Sequence, residues 1–380
     1  MEKFSPKEMD EPSQEDIISL VNSIFEVGNF TKTEFSLEFK VEDLDFKTKF
    51  EELARRLENR NYACKLEQID NSRYIIIQKF IPRKRRWLSS SWTPRILFAI
   101  VLGFVMIDGY YKTEGLNTII EIGEPFEMAI VYTISLLGIL GIHELGHMIA
   151  ARIHRLKTTW PFFIPGIPLI GFPTFGALIQ SRGLTINRQI LFDVAIAGPI
   201  AGLVIAIIVS LYGAHTAPVL DVEFAAQMYE EGNLSDFTFG EPLFLKGALA
   251  LFGKGMPGNE VILTPVLWAS WIGFFITFLN LMPAWQLDGG HMARTVFGPK
   301  WHKYSTYGSF IILAVIGFEI AALIFYMWSR RNFSAQPLDD ISPLTKNRKL
   351  AYLGIIVLAI LCVPIPENLC MPIIRTACVF

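Results

Sequence analysis

The chain is poor in charge. Only 18% of its 380 residues are Asp, Glu, Lys or Arg, against roughly 25% in ordinary soluble domains. Cysteine is scarce as well. Cys64, Cys362, Cys370 and Cys378 form no CxxC pair, so they point to neither a zinc cluster nor a disulfide framework. No sign of charge dominates: the net charge is −2, which gives no electrostatic footprint for nucleic acid. The opening stretch MEKFSPKEMDEPSQEDI has no apolar core, so no cleaved signal peptide is expected. Internal repeats and low-complexity tracts are also missing.

What remains is apolar. Hydrophobic residues make up 52% of the chain. They gather in runs at about 94–110, 128–151, 190–212, 261–283, 305–328 and 349–364, several of which reach the roughly 20 residues that a bilayer requires. Trp87, Trp92, Trp160, Trp285, Trp301 and Trp328 lie at or just beyond the ends of these runs, where amphipathic rings favour the interface. Trp268 and Trp271 are exceptions, inside a run. The expected fold class is therefore an α-helical polytopic membrane protein with about six transmembrane helices. The basic cluster RKRRW at 83–87 precedes the first span and marks the cytosolic side. The location expected is a multi-pass protein of the cell membrane with its N-terminal domain in the cytosol. Threading from there leaves one conflict. Six spans put the 329–349 loop outside, yet it carries Arg330, Arg331, Lys346, Arg348 and Lys349.

Residues 1–88 read as a soluble α+β domain, and 89–380 as the membrane-embedded part. Residues 14–25 look helical. EFSLEFKV alternates Phe35, Leu37, Phe39 and Val41 on one face, as a half-buried strand does. Phe46, Phe50, Leu53 and Leu57 recur at helical spacing. ACKLEQID and RYIIIQKF flank the turn DNS as a hairpin. The predicted order is α-β-α-β-β. The domain carries no catalytic constellation and suits a docking module for a partner or a plain folding unit.

The chemistry lies in GIHELGHMIA, residues 141–150. His143 and His147 are four residues apart, so a helix stacks both imidazoles on one face. That spacing lets two nitrogens hold one Zn²⁺, with the intervening Glu144 as general base. Ionisable residues without partners are costly inside a bilayer, so an apolar setting strengthens the signal. A catalytic zinc usually takes a third protein ligand. His154 follows the helix into basic, solvated sequence, His215 lies at the far end of its span, and His302 sits in the surface run KWHK. FLNLMPAWQLDGGHMAR, residues 278–294, offers Asp288 and His291. Pro283 breaks the helix there, and two glycines beside Asp288 allow close backbone approach.

His143-Glu144-x-x-His147 together with Asn280-x-x-Pro283-x-x-x-x-Asp288-Gly289 resembles the paired motifs of the site-2 proteases, the zinc intramembrane metalloproteases of peptidase family M50. The resemblance covers about 128–295, and AGPIAG at 197–202 looks like the family's Gly-Pro signature. The N-terminal extension is similar to that of the longer archaeal and plastid members. The resemblance implies that His143, His147 and Asp288, rather than His291, hold Zn²⁺. It implies that Glu144 is the general base, and that Asn280 orients substrate or stabilises the oxyanion. It also implies membrane-spanning protein substrates cut in or near the lipid bilayer. Two other classes compete. A metal-ion transporter would also place His, Glu and Asp in the bilayer, with Glu319 as a pathway residue, but it would more often show repeated halves. A non-proteolytic adaptor has no use for an intact Glu144.

One last segment, WPFFIPGIPLIGFPTFGALIQS at 160–181, is apolar but broken by Pro161, Pro165, Pro168 and Pro173. It reads as a re-entrant loop with strand-like parts. Non-helical backbone at membrane depth must be buried in protein or line a water-filled cavity.

Overall fold

In the computed structural model, the described residues are 13–33, 35–43, 45–70, 72–80, 92–168, 171–179, 184–232, 234–236, 239–255, 259–330, 336–365 and 376–378. The basic cluster at 83–87 lies outside them. The chain forms two compact units: one comprises 1–85, 183–191 and 336–344, the other 86–182, 192–335 and 345–380.

The first unit begins with α1 (Gln14–Ile24), closed by a capping box between Ser13 and Asp16. There follow β1 (Val27–Lys32), β2 (Leu37–Val41), α2 (Phe46–Glu58), β3 (Tyr62–Ile69) and β4 (Ser72–Lys79). The sheet order is β1-β2-β4-β3, all antiparallel. Leu37, Phe39, Val41, Phe50, Leu53 and Leu57 bury the faces that alternation and helical spacing assign to a core, whereas Phe35, which precedes β2, is exposed. β1 is an addition to the expected α-β-α-β-β order. Its pairing with β2 is irregular between Val27 and Phe30, and nearly all of it is exposed, so it shows no apolar alternation.

The first unit also draws in two segments distant in sequence, 183–191 and 336–344. Leu66 donates its N–H to the Leu338 carbonyl at 2.9 Å, and Leu338 and Asp339 donate to Thr185 and Ile186 at 2.9 and 2.7 Å. Arg188 pairs with Asp340 at 2.9 Å. Buried Asp339 accepts from the backbone N–H groups of Ile341 and Ser342 at 3.0 and 2.9 Å, which holds the tight turn that follows.

Among the described residues three helices are long and apolar enough to cross a membrane: α3 (Trp92–Asn117), α4 (Pro125–Ile153) and α5 (Arg188–Thr216). Between α4 and α5 lies the hairpin β5 (Phe162–Ile167) and β6 (Phe172–Leu178), antiparallel with a bulge between Phe163 and Pro165. A Cβ on Gly166 would meet the Phe172 carbonyl at 2.1 Å, so only glycine fits there. After α5 come β7 (Val219–Asp221), α6 (Val222–Glu230), β8 (Ser235–Asp236), β9 (Glu241–Pro242), α7 (Leu243–Leu251), β10 (Asn259–Ile262), α8 (Pro265–Leu281), α9 (Asp288–Val315), α10 (Glu319–Ser329), α11 (Lys346–Cys362), β11 (Pro364–Ile365) and β12 (Thr376–Cys378). The sheet β7-β10-β12-β8 and the pair β11-β9 tie the chain after α11 to the connection between α5 and α8.

Six long spans are not confirmed among the described residues. The expected spans at 261–283 and 349–364 are the 17-residue helices α8 and α11, each about 26 Å long at 1.5 Å per residue. The expected span at 305–328 is two helices. α9 ends at Val315, Gly317 turns the chain at φ 92°, and α10 begins at Glu319. Tyr307 and Tyr326 lie on either side of that turn with ring centroids 6.4 Å apart; on one continuous helix they would be roughly 28 Å apart. Glu319 is thus an exposed residue in the first turn of α10, where a carboxylate favours the positive helix end. It is not a carboxylate at mid-span.

Helix α8 is buried along nearly its whole length. Its two tryptophans, which broke the interfacial pattern, are stacked with centroids 4.9 Å apart. Trp268 donates to the Gly171 carbonyl at the hairpin tip (2.8 Å), and Trp271 donates to the Gly240 carbonyl (2.7 Å). Burial of both rings with their N–H groups paired explains why they sit inside. Between α3 and α4, the Tyr132 hydroxyl donates to fully buried Asp108 at 2.8 Å.

Candidate metal centre

Three elements bring the motif residues together. Helix α4 carries His143, Glu144 and His147 near its C-terminal end; the end of α8 carries Asn280; the start of α9 carries Asp288. Between α8 and α9 the chain leaves the helix at Met282 and turns through Pro283 and Trp285, the latter at φ 46°. Gly289 and Gly290 make the return possible. A Cβ on Gly289 would lie 2.1 Å from the Leu281 carbonyl oxygen, and one on Gly290 2.2 Å from that of Ala284. The close approach inferred from the glycines is present, and it delivers Asp288 to the histidines.

The Nε2 atoms of His143 and His147 are 3.1 Å apart. Asp288 Oδ2 is 3.4 Å from the first and 3.2 Å from the second. A tetrahedral zinc with ligand bonds of about 2.0–2.1 Å separates its ligand atoms by about 3.3 Å. The three separations match that edge length, and two imidazoles with one carboxylate are a zinc donor set. The residues therefore fit the metal. The Asn280 side-chain nitrogen lies 3.4 Å from His143 Nε2. Glu144 is buried.

Helix α5 forms the back wall. A Cβ on Gly198 would lie 2.1 Å from His147 Nε2, and one on Gly202 would lie 2.9 Å from His143 Cβ. On α4, a Cβ on Gly146 would lie 2.5 Å from the Ala197 carbonyl oxygen. AGPIAG is thus a smooth face that lets α5 pass directly beside both imidazoles. His147 Nδ1 is 2.8 Å from the Val194 carbonyl. A carbonyl can only accept, so Nδ1 carries the proton and Nε2 is left free to ligate.

The other histidines are elsewhere. His291 stands one turn after Asp288; its Nδ1 is buried without a hydrogen-bond partner among the described residues, and it is not among the three whose ligand atoms converge. His154, expected in solvent, is 3.1 Å from Asp193 Oδ2. His302, expected on a surface, is fully buried in α9, because KWHK lies on a helix whose other face packs inward. His215 lies at the C-terminal end of α5, against Phe252. The role of α5 was the largest gap in the sequence reading. AGPIAG was noticed, but spacing alone gave no contact for its glycines.

The sequence profile of peptidase family M50 matches residues 131–320, half of the chain. The probable zinc metalloprotease EGY2, chloroplastic, of Arabidopsis thaliana is 31% identical over 60% of this chain and 40% of its own length. The probable zinc metalloprotease EGY1, chloroplastic, of Oryza sativa subsp. japonica is 28% identical over 62% of this chain and 41% of its own. The probable zinc metallopeptidase EGY3, chloroplastic, of Arabidopsis thaliana is 24% identical over 56% and 38%. The chain spans less than half the length of the curated relatives it matches. These relatives are chloroplastic, which gives no support to the cell membrane as a location. No solved structure matches.

Proposed function

This chain belongs to peptidase family M50, and from that premise we propose that it is a zinc-dependent intramembrane endopeptidase that hydrolyses peptide bonds of membrane-spanning substrates. The observation that carries the reading is the tetrahedral spacing of His143, His147 and Asp288 beside buried Glu144. Zinc held there supplies Lewis acidity that makes a water nucleophilic near neutral pH. Glu144 takes the proton from the attacking water and delivers it to the leaving amine. The Asn280 amide, next to His143, is placed to donate to the substrate carbonyl as negative charge develops on it. Neither a transporter nor an adaptor is favoured by the family match.

The hairpin β5-β6 is the substrate platform. Among the described residues β6 pairs with β5 alone, and it exposes Phe175 and Leu178. A substrate segment that has left its helix can add to this edge by β-strand addition, which exposes a peptide bond that a helix would shield. Substrates with helix-weakening residues near the cut are therefore preferred.

The make-up of the first unit also supports a reading of which segments share a side of the membrane. Residues 1–85, 183–191 and 336–344 form one compact unit, so all three lie on one side. The sheet β7-β10-β12-β8 gathers residues before α8 and after α11. The α9–α10 hairpin returns the chain to the side it left. Residues 336–344 then share with the N-terminal segment the side that the sequence assigns to the cytosol. The metal centre lies near one end of α4, since His147 is less than two turns from the helix's C-terminal residue Ile153. The N-terminal domain is the part available for partner docking.

The test is cleavage of a single-span membrane substrate by the purified chain in detergent. Activity should vanish with a chelator and return with added zinc. Cleavage indifferent to both treatments rejects the reading.

A further inference from the structure

A single carboxylate ties three helices together just below the metal centre. Asp193 lies in the second turn of α5. Arg348, in the first turn of α11, donates to it through Nε and a terminal nitrogen, both at 2.6 Å. His154, which caps the C-terminus of α4, places Nε2 3.1 Å from the same carboxylate. A two-pronged guanidinium–carboxylate pair fixes orientation as well as distance. The carboxylate is only partly exposed, at 26%.

The residue after Asp193 is Val194, whose carbonyl accepts from His147 Nδ1. Thus α4 and α5 are joined at two neighbouring points: His154 to Asp193, and His147 to Val194. Farther along, Gly198 and Gly202 run against His147 and His143 with no room to spare. Rotation or sliding of α5 would move the Val194 carbonyl off the imidazole. It would also drive the α5 backbone into the ligand rings. The glycine face supplies closeness but no grip, because it has no side chains to lock it. The grip must come from the polar contacts at the helix start.

We propose that Asp193, clamped by Arg348 and His154, is a positioning residue for the metal centre. It holds the Val194 carbonyl against His147 Nδ1 and so fixes the tautomer and direction of the ligating Nε2. The inference rests on the metallopeptidase reading and adds to it a part of the chain outside both sequence motifs.

The full chain in detergent is loaded with cobalt(II), whose visible bands report ligand geometry, and zinc affinity is measured by competition with a chelator. Asp193→Asn should shift or weaken the cobalt bands and lower zinc affinity about tenfold, the lower end of the cost of losing an outer-shell partner. It should lower kcat more than it raises KM. Arg348→Ala should do the same more mildly, and Arg348→Lys should recover most of the loss. Arg348→Ala decides the matter where Asp193→Asn does not fold. A folded Asp193→Asn or Arg348→Ala with the wild-type spectrum and zinc affinity overturns the positioning role alone. A wild-type chain that shows no cobalt bands, or bands unaffected by His147→Ala, overturns the metal centre and the inference with it.

Discussion

Gly198 lies against His147 so closely that a Cβ on it would sit 2.1 Å from the imidazole Nε2. No side chain fits between α5 and the ligand face of α4. Gly198→Ala should therefore push the ring away and lower zinc affinity by about 100-fold, the upper end of outer-shell damage. Gly141→Ala on α4 is the control, since nothing lies within 4 Å of its Cβ position. Chelator competition on both variants is the measurement. Equal affinities would show that α5 does not bear on His147.

Asp288 is the third ligand atom in the converging set, and His291 is not. Asp288→Ala should lose most of its zinc, whereas His291→Ala should keep most of it. Metal analysis of the two purified variants separates them, and the reverse pattern would reassign the ligand.

The free edge of β6 should matter for cleavage and not for metal. Leu178→Pro or Ile179→Pro removes a backbone donor near the exposed end of the strand. Cleavage should slow at least several-fold while zinc content stays constant. Unchanged cleavage by a zinc-loaded variant would make the hairpin a passive filler.

The threading makes a labelling prediction. Single cysteines at exposed Glu15 and Gln336 should react with an impermeant thiol reagent from the same side of sealed vesicles. Opposite accessibility of positions 15 and 336 would break the shared unit.

Cys64 in β3 is fully buried, and burial pushes its thiol up to about 12. A pKa raised by folding stabilises the fold below the unfolded value, ~8.5. That contribution is lost as pH climbs from there toward the folded value. Denaturation of the N-terminal unit should therefore grow easier above about pH 8.5, and less so in Cys64→Ala. Denaturant midpoints at several pH values test this; identical slopes for both proteins would contradict it.

The residues of the candidate metal centre stand out in the sequence because zinc ligation requires fixed spacings. His143 and His147 need one helical turn, and Asp288 needs Pro283 to end a helix and glycines to bring the chain back. Hairpin β5-β6 was legible from its prolines. Hydropathy sums composition and cannot register a turn, so Gly317 was hidden inside an apolar run, although its φ of 92° splits α9 from α10. The segments at 183–191 and 336–344 were hidden for a different reason. Their pairing with β3 runs through backbone groups of Leu66, Leu338 and Thr185, which leave no pattern in side chains. Asp193 escaped notice because its partners lie on other helices, far away in sequence.

Glu144→Gln tests the central claim most directly. Glu144 stands between two ligands without being one of the three converging groups, so its role as proton carrier separates from metal binding. Zinc content and substrate cleavage are to be measured on the same purified sample. The account predicts a full complement of zinc with cleavage reduced by at least about 100-fold, within the range that general acid–base catalysis supplies. A variant that cleaves at the wild-type rate, or that loses its zinc along with its activity, would contradict it.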